Sequence, residues 1–228
     1  MLISPPFGGG RAPVLAKNTV ASSQPLATQA GIEALQNGGN AVDAALATAI
    51  TLTVVEPTMN GLGGDGFAIL WDGKQIHGLN ASGRAPAAWT PEYFDGKTAM
   101  DLIGWNTVTV PGMVSGWVEL SKKFGKLPFA QLFKRAIDYA ENGFPVSPVI
   151  ARQWREAIPI LKNQPGFAES FLIDGKAPQA GQIWRFPAQA KTLQEIAATQ
   201  GESFYKGALA QSMVDFAQSS GEIGRAHV

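Results

Sequence analysis

Residues 38–45 carry the sequence Gly-Gly-Asn-Ala-Val-Asp-Ala-Ala, which marks a junction between two helices. Gly38 and Gly39 form a helix-stop signal, because glycine tolerates the left-handed backbone that ends a helix. Asn40 is a favourable N-cap for the following helix, and Asp43 lies in its first turn, where the helix dipole stabilises a carboxylate. The stretch therefore predicts two successive helices joined by a tight turn.

The sequence on both sides of this junction fits two helices. Residues 25–36 begin with a proline, which suits the first turn of a helix. Residues 41–55 are small or apolar on nearly every side and are followed by Pro57, which predicts a helix buried among other elements. This stretch is shorter than the ~20 residues that span a bilayer, so we expect no association with a membrane.

A β-hairpin is predicted after the second helix. Residues 67–71 and 75–79 are two short apolar runs, and Asp72-Gly73 lies between them. An Asp-Gly pair in this position is a strong hairpin signal. The second half of the chain is predicted to be mostly helical, most clearly over residues 129–140, where apolar residues recur at helical spacing.

Two further helices are predicted over residues 187–201 and 208–218. The first begins with a proline and is closed by a glycine, and it carries apolar residues at helical spacing. Together with the hairpin, these helices predict an α+β fold.

Composition excludes several classes of function. The 228 residues include 18 Lys and Arg and 18 Asp and Glu, so the net charge is zero and we expect no nucleic-acid partner. Cysteine is absent and there are two histidines, so we expect neither a metal centre nor a thiol nucleophile, and no cofactor is implied. The first residues lack the cationic and apolar regions of a signal peptide, so we expect a cytoplasmic protein.

Two glycine motifs imitate phosphate-binding sites. Residues 61–66 match Gly-x-Gly-x-x-Gly, but a dinucleotide site needs a strand before the glycines and a helix after them, and here the order is reversed. We interpret this loop as a turn that lets the backbone pass close to another segment. Gly96-Lys97-Thr98 resembles the end of a phosphate-binding loop, but the motif requires a glycine at the position of Pro91.

His77 lies in the second predicted strand. No partner carboxylate is evident from the sequence, so we interpret it as a structural residue. No Ser-His-Asp set, carboxylate pair or metal cluster can be assembled from the chain, so the residues alone leave the function open.

Several runs of the chain, taken together, resemble a known family. Besides residues 38–45 and 61–67, they are Ser23-Gln24-Pro25-Leu26-Ala27, Val55-Glu56-Pro57, Arg84-Ala85-Pro86, Val110-Pro111-Gly112, residues 124–128 and 143–147, and Phe204-Tyr205 with Gly207. In this order and spacing, the set resembles the N-terminal half of the gamma-glutamyltransferase family over residues 10–221.

The resemblance implies a partial N-terminal nucleophile hydrolase, whose family fold is an αββα sandwich shared by a large and a small subunit. Such proteins cut their own precursor ahead of a threonine, which becomes the nucleophile, with its α-amino group as the base. The implied substrate is a γ-glutamyl or related acyl amide. In the family the nucleophile lies in the self-cleaved small subunit, so no catalytic residue is assigned to this chain. We expect the chain alone to be inactive and poorly soluble.

The same resemblance assigns substrate-binding roles to Ser82 and Arg84. Family members that cleave γ-glutamyl groups carry an arginine before the Ala-Pro pair, which clamps the substrate α-carboxylate. Aligned without gaps, that position is Ser82, and Arg84 lies two residues further on. If this segment is a strand, the side chains of Ser82 and Arg84 face the same side, because residues two apart in a strand do so. With a serine at this position, the chain resembles the gamma-glutamyltransferase-like proteins and the related cephalosporin or glutaryl acylases, whose acyl group need not carry an α-amino acid. For Arg84, the alternative is a structural ion pair. For the chain, the alternatives are a cephalosporin or glutaryl acylase of the same superfamily and a non-catalytic interaction protein with this fold.

The end of the chain departs from the family pattern. Residues 1–221 are assigned to an incomplete large-subunit region, and residues 222–228 to a non-native tail. One reverse translation of this tail is a common sequencing-adapter sequence, and the alternative is a genuine C-terminus.

Overall fold

The computed structural model describes residues 15–87 and 89–220, so the predicted tail over residues 222–228 lies outside it. The fold is α+β, as the sequence predicts. Its helices are α1 (Pro25–Gln36), α2 (Ala41–Val55), α3 (Met113–Phe124), α4 (Lys134–Asn142), α5 (Pro148–Leu161), α6 (Phe167–Phe171), α7 (Pro187–Ala198), α8 (Glu202–Lys206) and α9 (Ala208–Ser219).

Within the described residues, two short antiparallel sheets accompany the helices. In the first, β1 (Gly66–Trp71) pairs with β2 (Ile76–Ala81), with Gly66 opposite Ala81. In the second, β3 (Phe144–Pro145) pairs with β4 (Ile183–Trp184). The hairpin was predicted, whereas the second sheet joins residues too far apart in sequence for a local signal.

The junction between α1 and α2 forms as its sequence predicts. The Asn40 side chain accepts hydrogen bonds from the backbone N–H groups of Val42 and Asp43, at 2.9 and 3.1 Å. The Asp43 carboxylate in turn accepts one from the Asn40 N–H at 2.8 Å. This reciprocal capping box satisfies N–H groups that a helix start would otherwise leave unpaired.

Asp43 also fixes the connection between α3 and α4. Its side chain is fully buried and accepts the backbone N–H groups of Lys126 and Leu127, at 3.0 and 3.3 Å. Asn40 donates its side-chain amide to the Phe124 carbonyl at 2.6 Å. Two neighbouring polar side chains therefore tie the start of α2 to the end of α3.

The core lies around α2, which packs against α1, α3 and α4. Most of α2 is buried, as its small and apolar composition predicts. A second part of the core is aromatic: the Trp154 ring stacks on Phe186 at 6.0 Å and meets Trp184 edge-on at 5.0 Å.

Helix α4 departs from the prediction at its start. The segment Phe129–Phe133 is a 3-10 helix, and the α-helix begins at Lys134. Pro128 supplies no side-chain cap to this segment. An uncapped helix start commonly tightens into the 3-10 form, which pairs N–H groups one residue closer.

The end of the hairpin corrects the interpretation of His77. The sequence suggested no carboxylate partner, but Asp72 in the turn lies 2.7 Å from the ring Nε2. The hydrogen bond from His77, with those from the backbone of Gln75 and Lys74, lowers the pKa of Asp72 to about 2. His77 also packs on the Phe124 ring at 4.9 Å. The expectation of no carboxylate partner is therefore wrong, and His77 links the hairpin turn to the end of α3 through Asp72 and Phe124.

One face of the hairpin is apolar and exposed. Phe67, Ile69, Trp71 and Ile76 all lie on it, and Ile69 is 86% exposed.

In the described part of the chain, no helix has the length and apolar character needed to cross a membrane.

Candidate functional site

The two predicted substrate-binding residues lie in a loop that follows β2. Strand β2 ends at Ala81, so Ser82 and Arg84 are not in a strand, and alternation along a strand cannot place them on one side. Gly83 between them has a φ of +81°, a conformation that favours glycine. The loop therefore turns between the two side chains.

A strap formed by residues 109–112 holds this loop in place. The Val110 N–H donates to the Arg84 carbonyl at 2.9 Å, and the Thr109 hydroxyl donates to the Ser82 carbonyl at 3.2 Å. Two hydrogen bonds thus fix the backbone on both sides of Gly83.

The strap and the loop approach each other so closely that only glycine fits at the crossing. A Cβ at Gly112 would collide with the Ala81 carbonyl oxygen and the Gly83 nitrogen. A Cβ at Gly83 would collide with the Val110 carbonyl oxygen. These neighbours are backbone atoms, which cannot rotate away as a side chain can.

The glycine-rich loop over residues 61–66 supports the strap from the other side. Its Gly64 carbonyl accepts the N–H groups of Gly112 and Met113, at 3.2 and 3.1 Å. The loop thus contacts the strap through Gly64, but a Cβ at Gly61 or Gly63 would meet nothing within 4 Å, so close approach does not account for those two glycines. Lys97, from the second glycine motif, lies in a turn and pairs with Asp101 at 2.6 Å.

Loop, strap and α8 together line an open groove of about 400 Å³. Both Ser82 and Arg84 line it. Arg84 is exposed, and no carboxylate within the described residues forms an ion pair with it. The alternative of a structural ion pair thus has no partner in residues 15–87 and 89–220, and the groove presents a positive charge to solvent.

Tyr205 also lines the groove and was not singled out from the sequence as a site residue. Its hydroxyl accepts the Ser115 N–H and donates to the Pro111 carbonyl, both at 2.9 Å. Burial raises the pKa of Tyr205. The Phe204-Tyr205-Gly207 run was part of the resemblance, but its role depends on contacts with residues about ninety positions away.

The family model for gamma-glutamyltranspeptidase matches residues 27–226. The chain belongs to the gamma-glutamyltranspeptidase family. The match includes the loop, the strap and α8, so the whole groove lies within the part of the chain that is common to the family.

The names of the relatives in this family describe several different activities. The chain is 40% identical over 208 residues to the glutathione hydrolase-like YwrD proenzyme of Bacillus subtilis, with 90% of the chain and 40% of the relative aligned. It is 41% identical over 196 residues to the oxamate amidohydrolase proenzyme of Klebsiella pneumoniae, with 82% of the chain and 37% of the relative aligned. The chain thus spans about 40% of the length of the relatives it matches.

Solved structures of the gamma-glutamyltranspeptidase family share the fold. The cephalosporin acylase from Bacillus halodurans matches with a TM-score of 0.83 at 42% identity, covering 95% of this chain and 44% of that one. The gamma-glutamyltranspeptidase of Helicobacter pylori matches with a TM-score of 0.86 at 30% identity, covering 93% and 63%. The predicted α+β N-terminal nucleophile hydrolase fold is confirmed, and the chain corresponds to the large subunit.

Metal-ligating side chains do not converge near the groove. Across residues 15–87 and 89–220, no three His, Cys, Asp or Glu side chains form a cluster that could hold a metal ion. The candidate site therefore consists of the groove, the Arg84 guanidinium and the hydroxyl groups of Ser82 and Tyr205.

Proposed function

We propose that this chain is the large-subunit region of a self-processing amide hydrolase whose substrates carry a carboxylate on the acyl group. The small subunit released by self-cleavage would be its partner and would supply the threonine nucleophile. The observation that carries the proposal is the exposed Arg84 guanidinium, which lines the groove and has no ion-pair partner in the described residues.

The chemistry proposed is acyl transfer through a threonine ester. The threonine oxygen attacks the amide carbonyl, its proton passes to its own α-amino group, and the amine product leaves with that proton. Water then cleaves the ester and releases the acid, and in a transferase reaction an amine takes the place of water. Residues of this chain would bind and orient the acyl group.

Arg84 fits the binding of a carboxylate. A guanidinium can form two parallel hydrogen bonds to a carboxylate, which sets both the position and the orientation of the acyl chain. Ser82 would add a hydroxyl donor on the same groove. Because position 82 is not an arginine, we propose that the α-amino acid end of a γ-glutamyl group is not required.

The alternative to a γ-glutamyl amide as the substrate is a glutaryl or cephalosporin amide, which the acylases of the superfamily cleave. It is supported by the 42% identity to the cephalosporin acylase, against 30% to the gamma-glutamyltranspeptidase of Helicobacter pylori. The oxamate amidohydrolase, at 41% identity, acts by its name on another amide that bears a carboxylate. A carboxylate on the acyl side is the feature that γ-glutamyl, glutaryl and oxamate groups share.

The test compares anilides of these acids on the full-length protein. We expect the Arg84→Gln variant to raise KM for γ-glutamyl and glutaryl p-nitroanilides by about tenfold, the low end for losing a hydrogen bond to a charged group. Whichever anilide has the higher kcat/KM in the wild type identifies the substrate class.

Arg152→Gln is the matched control. Arg152 is exposed on α5 and does not line the groove, so its loss should leave KM unchanged. Equal effects of the two variants would contradict the role of Arg84. A full-length protein that hydrolyses no anilide and does not cut itself would favour the non-catalytic alternative.

A further inference from the structure

Tyr205 reaches the groove from α8, an element that carries neither of the predicted substrate-binding residues. Its hydroxyl lies between two parts of one connection, accepting from the N–H of Ser115 in α3 and donating to the carbonyl of Pro111 in the strap. Ser115 reinforces the same turn, because its hydroxyl donates to the Gly112 carbonyl at 2.7 Å. Tyr205 thus joins the end of the strap to the first turn of α3.

The hydroxyl is fully engaged in these contacts. A phenol has a single proton to donate, and Tyr205 donates it to Pro111. Burial raises the pKa of this phenol, which keeps it protonated at neutral pH. Tyr205 is therefore placed to hold the strap rather than to exchange a proton with a substrate.

A shift of the strap would be passed directly to the substrate-binding loop. The Val110 N–H is bonded to the Arg84 carbonyl, one residue before Pro111. Gly112, one residue after Pro111, lies against Ala81 and Gly83 with no room for a Cβ. Tightly packed backbone moves together, so the position of Pro111 sets that of residues 82–84.

We propose that Tyr205 is a positioning residue, which sets the orientation of Arg84 toward the substrate carboxylate by anchoring Pro111 of the strap. This inference rests on the proposed function, because it assigns Tyr205 to the recognition of the acyl group. It adds a specificity-determining contact that lies outside residues 82–84.

The test is Tyr205→Phe in the full-length enzyme, alone and combined with Arg84→Gln. We expect KM for the preferred anilide to rise about fivefold with kcat nearly unchanged, since one hydrogen-bonded hydroxyl is lost. In the Arg84→Gln background the same change should alter KM by less than twofold. The guanidinium is already absent there, so the position of residue 84 no longer affects carboxylate binding. A role confined to global stability would lower the amount of folded enzyme and leave KM unchanged in both backgrounds.

Tyr93→Phe is the matched control. The Tyr93 hydroxyl donates to the Asn106 side chain at 3.0 Å, and Tyr93 does not line the groove. We expect this variant to lose its hydrogen bond without a change in KM. An unchanged KM in Tyr205→Phe, or independent effects of Tyr205→Phe and Arg84→Gln, would overturn the inference.

Hydrogen exchange separates this inference from the proposed function. Tyr205→Phe should speed exchange of the Val110 amide, which is bonded to Arg84, while the amide of Val42 in the α2 cap stays unchanged. If the wild type hydrolyses no anilide, the proposed function fails, and faster exchange at Val110 alone then supports the anchoring role. Unchanged exchange at Val110 would remove that role as well.

Discussion

Replacing Asp43 with alanine is expected to destabilise the protein by about 3 kcal/mol, the largest effect of any single polar change in the described core. Asp43 is fully buried and accepts backbone N–H groups from Asn40, Lys126 and Leu127. The alanine variant would leave these donors without their side-chain acceptor, and it would also remove half of the capping box. Thermal and denaturant unfolding of the full-length protein measure the loss.

Asp43→Asn and Asp95→Ala serve as controls for this prediction. Asparagine keeps the shape but turns an N–H group toward donors, so we expect an intermediate loss. Asp95 is exposed next to a short 3-10 turn, and its removal should change the free energy of unfolding by less than about 0.5 kcal/mol. If Asp43→Ala unfolds like the wild type, the junction does not depend on this carboxylate.

Replacing Gly112 with alanine is expected to lower kcat/KM by at least as much as removing the Arg84 cation. The φ of Gly112 is −97°, so alanine could adopt the backbone conformation. Its Cβ, however, would collide with Ala81 and Gly83, and overpacking of this kind costs about 1–3 kcal/mol. The strap and the loop must separate, which moves the loop that carries Ser82 and Arg84. Kinetics and thermal unfolding on the same preparation measure both effects.

Gly78→Ala is the control for this crossing. Gly78 lies in β2, and a Cβ there would meet nothing within 4 Å. We expect Gly78→Ala to keep both activity and stability. If Gly112→Ala also keeps full kcat/KM, close contact with the strap does not control the substrate-binding loop.

Most of the helices and the hairpin could be predicted from sequence signals that act within a few residues. The stop, cap and first-turn residues of 38–45 specify the α1–α2 junction through contacts within a few residues, so the sequence predicts it correctly. The hairpin follows from Asp72-Gly73 in the same way. Its second strand begins at Ile76 rather than Gln75, because the Asp72 carboxylate accepts the Gln75 N–H and keeps that residue in the turn.

The site could be predicted only in part, because its geometry depends on distant contacts. The family resemblance singled out Ser82 and Arg84, yet the argument from strand alternation fails in a loop. What places both on one groove is the strap over residues 109–112, which crosses the loop through hydrogen bonds and glycine contacts. Tyr205 acts on that strap from α8, and no local pattern in the sequence reveals such a contact.

The exposed apolar face of the hairpin shows a further limit of local patterns. Trp71 lies on this face and is 61% exposed in the described structure. Trp117 and Trp154, in contrast, are buried in the helical core. Composition predicts that tryptophans pack, but it does not specify which ones.

Self-cleavage of the full-length protein tests the central claim most directly. Intact mass spectrometry and N-terminal sequencing of the purified protein should find two polypeptides, the second beginning with threonine. Substitution of that threonine by alanine should leave one uncut chain without anilide hydrolysis. A wild-type protein that stays a single polypeptide and hydrolyses no acyl anilide would contradict the assignment of this chain to a self-processing amide hydrolase.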